Sequence, residues 1–289
     1  MRQLLEITRS AGDILKAGSE QRSELQVQHK GAVDLVTDVD HRLQDHIVER
    51  LCAEFPADTI IAEESEASNS VDFEGRVWYV DPLDGTTNFV HGFPFYAISI
   101  GLWEAGQPSL ACVYAPALDE LFFAERGSGA WLSRPSCGEA PRRLKVSECP
   151  SLGAALVATG FPYDRGDAAR LSVACVSRVL ASARGVRRAG SAALDLCYIA
   201  AGRLDAYFEM RLSPWDVAAG SLIASEAGAT LSNFAGEPDF LHTRRICAAS
   251  PAIHSAMLEL LADAHRAPEF SPLGEVFAAA QPLEEPDRG

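Results

Sequence analysis

The amino-acid sequence predicts an α/β fold with α+β character, divided into two lobes. In the first half, helical patterns stand beside a run of neighbouring strand patterns, whereas in the second half strand and helix patterns alternate. A stretch containing Pro, Gly and Ser separates the two halves near residues 133–141. We therefore expect an N-terminal lobe over 1–140, a C-terminal lobe over 141–265, and an accessory or weakly ordered tail over 266–289.

The first lobe is expected to open with two helices that lead into strands. Apolar residues recur at helical spacing in "MRQLLEITRSAGDILKAG" and again over 43–51. Thr37 or Asp38 is the expected N-cap of the second helix. The segments "DTIIAEES" and "RVWYV" predict short buried strands, and "SLACVYAPALDELFFAERGSGAWLS" predicts successive strands joined by turns. These elements are typical of an antiparallel sheet covered by helices.

The second lobe is expected to alternate strands and helices. "AALVATG" predicts a buried strand that ends at Gly160, and "DAARLSVACVSRVLASA" has helical periodicity. "GVRRAGSAALDLCYIAAGRLDAYFEM" predicts strand, turn, helix and strand in that order. "DVAAGSLIASEAGA" predicts an Ala-rich helix with Gly at its end. We expect a functional site between the two lobes.

Composition narrows the functional classes. The chain has 289 residues, 47% of them hydrophobic, and a formal net charge of -15, which argues against general attraction to nucleic acid or to an anionic membrane. No window has the apolar length of a membrane span, and the N-terminus lacks the apolar core of a signal peptide. The seven cysteines form no C-x-x-C pair, which argues against a zinc site and a secreted disulfide framework. We expect a cytoplasmic protein.

Four groups of acidic residues each stand beside a predicted buried element. They lie in "DLVTDVD" (Asp34, Asp38 and Asp40), "IIAEES" (Glu63 and Glu64), "DPLDGTT" (Asp81 and Asp84) and "SPWDVAAG" (Asp216). Carboxylates are rarely buried unless they are paired or bind a metal. Without His or Cys companions, converging carboxylates suit a hard cation, Mg²⁺ or Mn²⁺. A metal and phosphate site is therefore one interpretation of the acidity.

Each group also has a simpler interpretation. The three aspartates of "DLVTDVD" could serve only turns and helix caps, and one of the two glutamates could face solvent. Asp216 could be the N-cap of the helix that follows Trp215. Taken singly, none of these groups decides between structure and chemistry.

The motif "DPLDGTTNF" is more specific. Pro82 restricts the backbone between Asp81 and Asp84, which favours a fixed turn over a helix face. Gly85 lets the backbone approach a ligand closely. If Thr86 opens a helical turn, the free N–H groups of that turn form an anion site. Metal ligands and a phosphate cradle thus fall within one segment.

The segment "WYVDPLDGTTNFVHGFPFYAISIGL" resembles a motif of the inositol monophosphatase family of Mg²⁺-dependent, lithium-sensitive phosphatases, and "SPWDVAAGSLIASEAGA" resembles the family's second motif. The order of "DLVTDVD", "IIAEES", "ATGFPY" and "GSAALDLCYIAAGRLDAYFE" is similar too. The D-P-x-D-G-T core is shared with fructose bisphosphatases and nucleotide 3'-phosphatases, whereas the T-N-F-V-H continuation is closer to the inositol monophosphatase branch. The resemblance implies a layered αβαβα sandwich of the inositol monophosphatase/fructose-1,6-bisphosphatase type.

The resemblance also implies a metal site, with two or three Mg²⁺ ions and Mn²⁺ as a substitute. Glu63, Asp81 and the Leu83 carbonyl would hold the first ion. Asp81, Asp84 and Asp216 would hold the second, with Asp81 bridging the two.

It further implies the residues that handle water and substrate. Thr86, backed by Asp40 and next to the ion of Glu63, would orient and help deprotonate the attacking water. The implied substrate-binding set comprises Asp84, Gly85, Thr86, Gly190, Ser191, Ala192, Glu209 and Asp216. Lys30 matches a lysine near a mobile metal-binding loop of the family, although it could equally be a solvated surface lysine.

The sequence thus predicts a phosphoric monoester hydrolase that acts on inositol monophosphate or a related small polyol or sugar phosphate by in-line water attack. The alternatives are a fructose-1,6-bisphosphatase, another sugar or nucleotide phosphatase of the superfamily, or a non-catalytic regulatory binding protein. The expected partner is a small phosphate ester, with no nucleic acid and no membrane. Homodimerisation and lithium inhibition are expected from the resemblance alone.

Overall fold

A computed structural model of the chain describes residues 1–21, 27–29, 35–65, 75–162 and 166–266. The helices are Arg2–Glu20 (α1), Asp38–Glu54 (α2), Thr86–His91 (α3), Asp167–Ser182 (α4), Ala192–Ala200 (α5), Pro214–Glu226 (α6), Phe240–Thr243 (α7) and Pro251–Arg266 (α8). The first strands are Val27–His29 (β1), Leu35–Thr37 (β2), Thr59–Ala62 (β3), Arg76–Asp84 (β4), Ala97–Glu104 (β5), Gln107–Ala115 (β6), Glu120–Glu125 (β7), Gly129–Ser133 (β8) and Arg142–Arg143 (β9). The remaining strands are Leu156–Thr159 (β10), Gly185–Arg187 (β11), Ala206–Met210 (β12), Thr230–Ser232 (β13) and Arg245–Ala249 (β14). Lys30, Asp34 and the tail from residue 267 lie outside the described residues.

The described strands form two large sheets and one small one. The seven-stranded sheet has the order β3-β4-β5-β6-β7-β8-β9, in which only the β3–β4 pair is parallel. The five-stranded sheet has the order β11-β10-β12-β14-β13, with β10 parallel to both of its neighbours. The short strands β1 and β2 form an antiparallel pair. The antiparallel first half and the partly parallel second half agree with the α/β prediction of mixed character.

The sheets and helices stack as five layers. Side chains point alternately to the two faces of each strand, and both faces of each large sheet are apolar. One face of the seven-stranded sheet packs against α1 and α2, and its other face packs against α5 and α6. The five-stranded sheet lies on the far side of α5 and α6 and carries α4 and α8 on its outer face. The predicted αβαβα sandwich is therefore confirmed.

Helix α6 lies in the middle layer, and its composition fits that place. All of its residues from Val217 to Ala224 are buried, because both sheets cover it. Small residues allow this close approach: a Cβ added at Gly101 of β5 would lie 2.9 Å from the backbone nitrogen of Ala219. A helix that is apolar all round is the expected solution for an element with no solvent face.

Two of these helices begin with the same capping arrangement. Thr37 is the N-cap of α2, and its side chain and backbone N–H pair with Asp40 and the N-terminal turn in a capping box. Ser213 caps α6 in the same way with Asp216. The alternative interpretation of Asp216 as the N-cap itself is wrong, because Pro214 already occupies the first helical position. Asp40 and Asp216 are thus each fixed three residues after a cap.

Strand β4 ends in an irregularity. Its pairing with β5 shifts register between Asp81 and Asp84, where Pro82 has no N–H to give to the ladder. Gly85 follows in the left-handed region with φ 92°, and α3 starts at Thr86, as the motif predicted. The shift turns the polar side chains of this segment away from the sheet ladder and towards the layer that holds α5 and α6. In the described part of the chain, no helix has the length and hydropathy needed to cross a bilayer.

Candidate active site

The end of β4 supplies the centre of the site. Asp81 is 2% exposed, and its Oδ1 accepts a hydrogen bond from the backbone N–H of Leu83 at 3.0 Å. The bond closes a tight turn that holds the Asp81 carboxylate against its own backbone. Burial raises the pKa of Asp81 well above its ordinary value, and the nearby charges of Glu63 and Asp84 raise it further. A cation in this position would relieve that repulsion.

Asp84 is held by the N-terminus of α5. Its Oδ2 accepts hydrogen bonds from the Ser191 hydroxyl at 2.6 Å and from the Ala193 backbone N–H at 2.7 Å. Ser191 is itself the N-cap of α5. Burial raises the pKa of Asp84 to about 6, while these donors act in the opposite direction. A carboxylate at a helix N-terminus is electrostatically favoured, and these hydrogen bonds link the end of β4 to the start of α5.

Thr86 and Asp40 form a hydrogen-bonded pair from two distant segments. The Thr86 hydroxyl lies 3.0 Å from Asp40 Oδ1 and 3.0 Å from the Leu83 carbonyl oxygen. A hydroxyl has one proton and can donate to only one of these at a time. Asp40 Oδ2 accepts from the Thr37 backbone N–H at 2.8 Å, and burial raises the pKa of Asp40. The capping box of α2 thereby aims Asp40 at Thr86.

The turn at Gly85 is closely packed. A Cβ at this position would lie 3.0 Å from the Phe95 carbonyl oxygen and 3.2 Å from that of Gly190. The Asn88 side-chain amide donates to the Phe95 carbonyl at 2.7 Å and to the Ala189 carbonyl at 2.8 Å, so it links α3 to the segment that precedes α5. Sequence reasoning missed Asn88 as a site residue. The only available signal was its place in the "TTNF" motif.

Two further carboxylates come from other elements. Glu63 follows β3, and its backbone N–H donates to the Val80 carbonyl at 3.1 Å, which carries the parallel pairing beyond the strand end. Asp216 Oδ2 accepts from the Ser213 backbone N–H at 2.6 Å. Burial raises the pKa of Asp216 well above its ordinary value, and the charges of Glu63 and Asp84 add to the shift. Glu63 and Asp216 therefore approach the β4 acids from two sides.

The remaining wall of the cleft is formed by β12, the segment after β10 and the segment before α5. Glu209 on β12 accepts a hydrogen bond from the Tyr207 hydroxyl at 2.7 Å, and burial raises its pKa to about 7. Its carboxylate packs on Gly160, where an added Cβ would lie 2.1 Å from both oxygens. Arg188 also lines the cleft, and its charge lowers the pKa of Asp84 and Glu209. Sequence reasoning missed Arg188, although it stands two residues before Gly190.

These groups line one cleft, with about 640 Å³ of space that includes its open mouth. Every predicted site residue lines it except Asp40, which contacts Thr86 from behind. Among the described lining residues, Arg188 is the one basic side chain, against the carboxylates of Glu63, Asp81, Asp84, Asp195, Glu209 and Asp216. Asp195 was not predicted.

The donor chemistry of the cleft fits a hard divalent cation. The cleft offers carboxylate oxygens and the Leu83 carbonyl, with no His or Cys among its described lining residues. No three acidic, His or Cys side chains within the described ranges already stand at the spacing of ion ligands. The residue types fit a hard divalent cation, and a bound cation would offset the charge repulsion that raises the pKa values of Asp81 and Asp216.

Comparisons with known proteins agree with this arrangement. The model of the inositol monophosphatase family matches residues 2–267. The chain is 42% identical to the Nus factor SuhB of Vibrio cholerae, over 87% of this chain and 91% of that protein. The crystal structure of the extragenic suppressor protein suhB from Bartonella henselae is similar with a TM-score of 0.82 and 37% identity, covering 90% of this chain and 97% of that one. The inositol monophosphatase of Anabaena is similar with a TM-score of 0.78 and 35% identity, covering 92% and 95%.

The layered fold and the acidic cleft define the class, a phosphatase superfamily that acts on small phosphate esters. Within that superfamily, the chain belongs to the inositol monophosphatase family.

Proposed function

We propose that the protein is a Mg²⁺-dependent phosphomonoesterase that hydrolyses inositol monophosphate or a related small polyol or sugar phosphate. The observation that carries this proposal is the Thr86–Asp40 pair, at 3.0 Å, beside a cleft lined by buried and partly buried carboxylates. A water-activating hydroxyl and a cation site in one cleft are the two parts that metal-assisted ester hydrolysis needs.

The proposed metal ligands are Glu63, Asp81, Asp84 and Asp216 with the Leu83 carbonyl, for two or three Mg²⁺ ions or Mn²⁺ in their place. When bound, such ions supply Lewis acidity and offset the charge of the phosphate. The Leu83 N–H, the Ser191 hydroxyl and the Ser213 N–H each hold one carboxylate oxygen, of Asp81, Asp84 and Asp216 respectively. The second oxygen of each group is thereby oriented for an ion.

The proposed reaction is an in-line displacement by water. Thr86 Oγ1 donates a hydrogen bond to Asp40 Oδ1. A lone pair of Oγ1 then faces the attacking water and accepts a hydrogen bond from it. The water oxygen forms a bond to phosphorus as the bond from phosphorus to the alcohol oxygen breaks. The proton that the water loses passes through the Thr86 hydroxyl to Asp40, and the departing alkoxide takes up an equivalent proton from solvent water. The backbone N–H groups of Gly85 and Thr86, at the start of α3, bind phosphate oxygens. Gly190, Ser191, Ala192 and Glu209 contact the alcohol.

Phosphate release from a panel of esters tests the proposal. The panel comprises inositol 1-phosphate, fructose 1,6-bisphosphate and adenosine 3',5'-bisphosphate, each measured with Mg²⁺, with EDTA and with added Li⁺. We expect Mg²⁺-dependent release that is fastest for inositol 1-phosphate, lowered by Li⁺ and abolished in Asp84→Asn. Preference for either bisphosphate would support the rival phosphatase assignments, and no release from any ester would refute the proposal.

A regulatory role is the second candidate. The relative from Vibrio cholerae is called a Nus factor, which favours binding to another protein as an activity of this chain as well. We propose this role beside catalysis, together with a homodimeric, cytoplasmic state. A variant such as Asp84→Asn that lost hydrolysis while supporting regulation in cells would separate the two roles.

A further inference from the structure

Asp195, on the first turn of α5, is a buried acid with one unsatisfied carboxylate oxygen. Its side chain lines the cleft, the residue is 2% exposed, and its Oδ1 accepts no hydrogen bond from any described residue. Within the described chain, the Ser250 hydroxyl is the one other buried side-chain oxygen or nitrogen in that condition. A buried acceptor without a donor is costly, so its presence in a cleft calls for an explanation.

Two partly buried acids nearby show what the fold does for structural carboxylates. Asp205 accepts hydrogen bonds from the Ser147 hydroxyl at 2.5 Å and from the Leu156 backbone N–H at 2.7 Å. Glu209, across the cleft, accepts from the Tyr207 hydroxyl. Asp195 lacks such a donor, and the charges of Glu209 and Asp84 both oppose its ionisation. The arrangement would be favourable only with a hydrogen-bond donor in the cleft.

We propose that Asp195 is a substrate-recognition residue that accepts a hydrogen bond from a hydroxyl of the substrate's alcohol part. This inference rests on the proposed function and names the substrate class: a monophosphate of a polyol. Oδ1 is enclosed in the structure, and a partial rotation of the carboxylate about χ2 would turn it towards the cleft that Asp195 lines. Asp195 and Glu209 then present two acceptors to an alcohol rich in hydroxyl donors.

The same wall disfavours a second phosphate. Arg188 is the one cation among the described residues that line the cleft, and it lowers the pKa of Asp84, Asp195 and Glu209 alike. One guanidinium is shared by three carboxylates on this part of the wall, while Arg211 and Arg244 line the adjoining pocket. A bisphosphate would place its second charged group against this wall, whereas a neutral polyol ring would donate to it.

The test compares two esters that share a phosphate and differ in hydroxyls. Inositol 1-phosphate carries several hydroxyl donors, and p-nitrophenyl phosphate carries none. In Asp195→Ala, we expect kcat/KM for inositol 1-phosphate to fall about 10- to 100-fold, because a lost acceptor leaves a substrate donor unpaired, while p-nitrophenyl phosphate changes by less than about twofold. Asp195→Asn, which keeps an acceptor oxygen, should recover part of the loss.

Thermal unfolding of the same variants separates recognition from a structural role. Removing an unsatisfied carboxylate should leave the melting temperature of Asp195→Ala no lower than that of the wild type. Asp205→Asn is the matched control: it disturbs a satisfied structural acid, so stability should fall and both esters should be affected alike.

The outcomes are distinct. Equal losses for both esters in Asp195→Ala, or no loss for either, would overturn the role of Asp195 while leaving the phosphatase assignment intact. A wild-type protein that hydrolysed neither ester would overturn the proposed function itself, and the recognition role with it. Selective loss with unchanged stability would support both.

Discussion

At the scale of single residues, the proposed role of the Thr86 hydroxyl can be tested most directly. It lies at equal distances from Asp40 Oδ1 and the Leu83 carbonyl oxygen. We expect Thr86→Val, which keeps the shape and removes the hydroxyl, to lower kcat about 100-fold or more, as expected for loss of a proton-handling group. Thr86→Ser should retain most of the activity. Steady-state kinetics at saturating Mg²⁺ measures both, and a Val variant with wild-type kcat would exclude the role.

Gly85 gives a second prediction at this scale, because the cost of its backbone conformation can be separated from the cost of crowding an added side chain. Its φ is 92°, and an added Cβ would crowd the Phe95 and Gly190 carbonyls. Gly106 also has a positive φ, of 70°, but a Cβ there would meet nothing within 4 Å. We expect Gly106→Ala to cost about 1 kcal/mol in the free energy of unfolding, from the backbone alone.

Gly85→Ala should cost at least about 1 kcal/mol more than Gly106→Ala, because crowding adds to the backbone strain. Urea denaturation of the two variants in parallel measures the difference. Equal costs would mean that the turn at Gly85 relaxes around a methyl group.

The residues of the β4 motif could be predicted from sequence because they are neighbours in the chain. Pro82 and the following turn restrict the backbone, so the relative positions of Asp81, Asp84 and Gly85 follow from the local sequence. Asn88 could not, because its partner, the Ala189 carbonyl, lies 101 positions away. Asp195 was hidden for a similar reason: in an apolar helical pattern, nothing shows which buried position faces a cleft.

At the scale of elements, helix starts connect structure to chemistry. The sequence patterns predicted where α2 and α6 lie, but left the exact cap of each open, since Thr37, Asp38 and Asp216 are all good capping residues. The structure assigns the caps to Thr37 and Ser213, and gives the third helical position to an acid of the site. Which acid takes the third position of a capping box depends on the residue at which the helix begins. The sequence pattern does not fix that residue exactly.

The buried ion pair between β7 and the turn after α5 gives the prediction at this scale. Glu120, with a side chain 5% exposed, accepts two hydrogen bonds of 2.6 Å from Arg203. We expect Arg203→Met to lower the free energy of unfolding by about 3 kcal/mol, because a buried carboxylate is left without its main partner. Chemical denaturation measures the loss.

A double-mutant comparison checks the cause. Adding Glu120→Gln to Arg203→Met should restore part of the stability, since the stranded charge is then gone. If the double variant is less stable than Arg203→Met, the loss comes from packing of the arginine on the Tyr198 ring, whose centroid lies 4.5 Å from the guanidinium carbon.

At the scale of the whole molecule, His254 links the outer helix α8 to the five-stranded sheet and should make stability depend on pH. The residue is 7% exposed, its Nε2 lies 3.1 Å from the Ser232 hydroxyl, and burial lowers its pKa. The unfolded chain therefore binds a proton at a higher pH than the folded one. Its contribution to stability is complete above the unfolded pKa of about 6.5 and is lost as the pH falls below it.

We expect the urea midpoint of the wild type to fall between about pH 7.5 and 5.5, and to fall less in His254→Gln. The cleft carboxylates act in the opposite direction, because their raised pKa values favour the folded state as they are protonated. The comparison therefore uses Mg²⁺ in excess and takes the difference between the two proteins. Parallel pH profiles would show that His254 contributes nothing to acid sensitivity.

The buried position of α6 has a consequence for how the chain is made. The seven-stranded sheet is complete at Arg143, yet the helix that covers its inner face, α6, ends at Glu226. At about 5–20 residues per second, a ribosome needs roughly 5–20 s to synthesise the intervening segment. During that interval the nascent chain presents Val77, Tyr79 and Phe122 on an uncovered sheet. An apolar sheet face that is uncovered during synthesis is prone to aggregation, so this interval is when the chain depends most on co-translational protection.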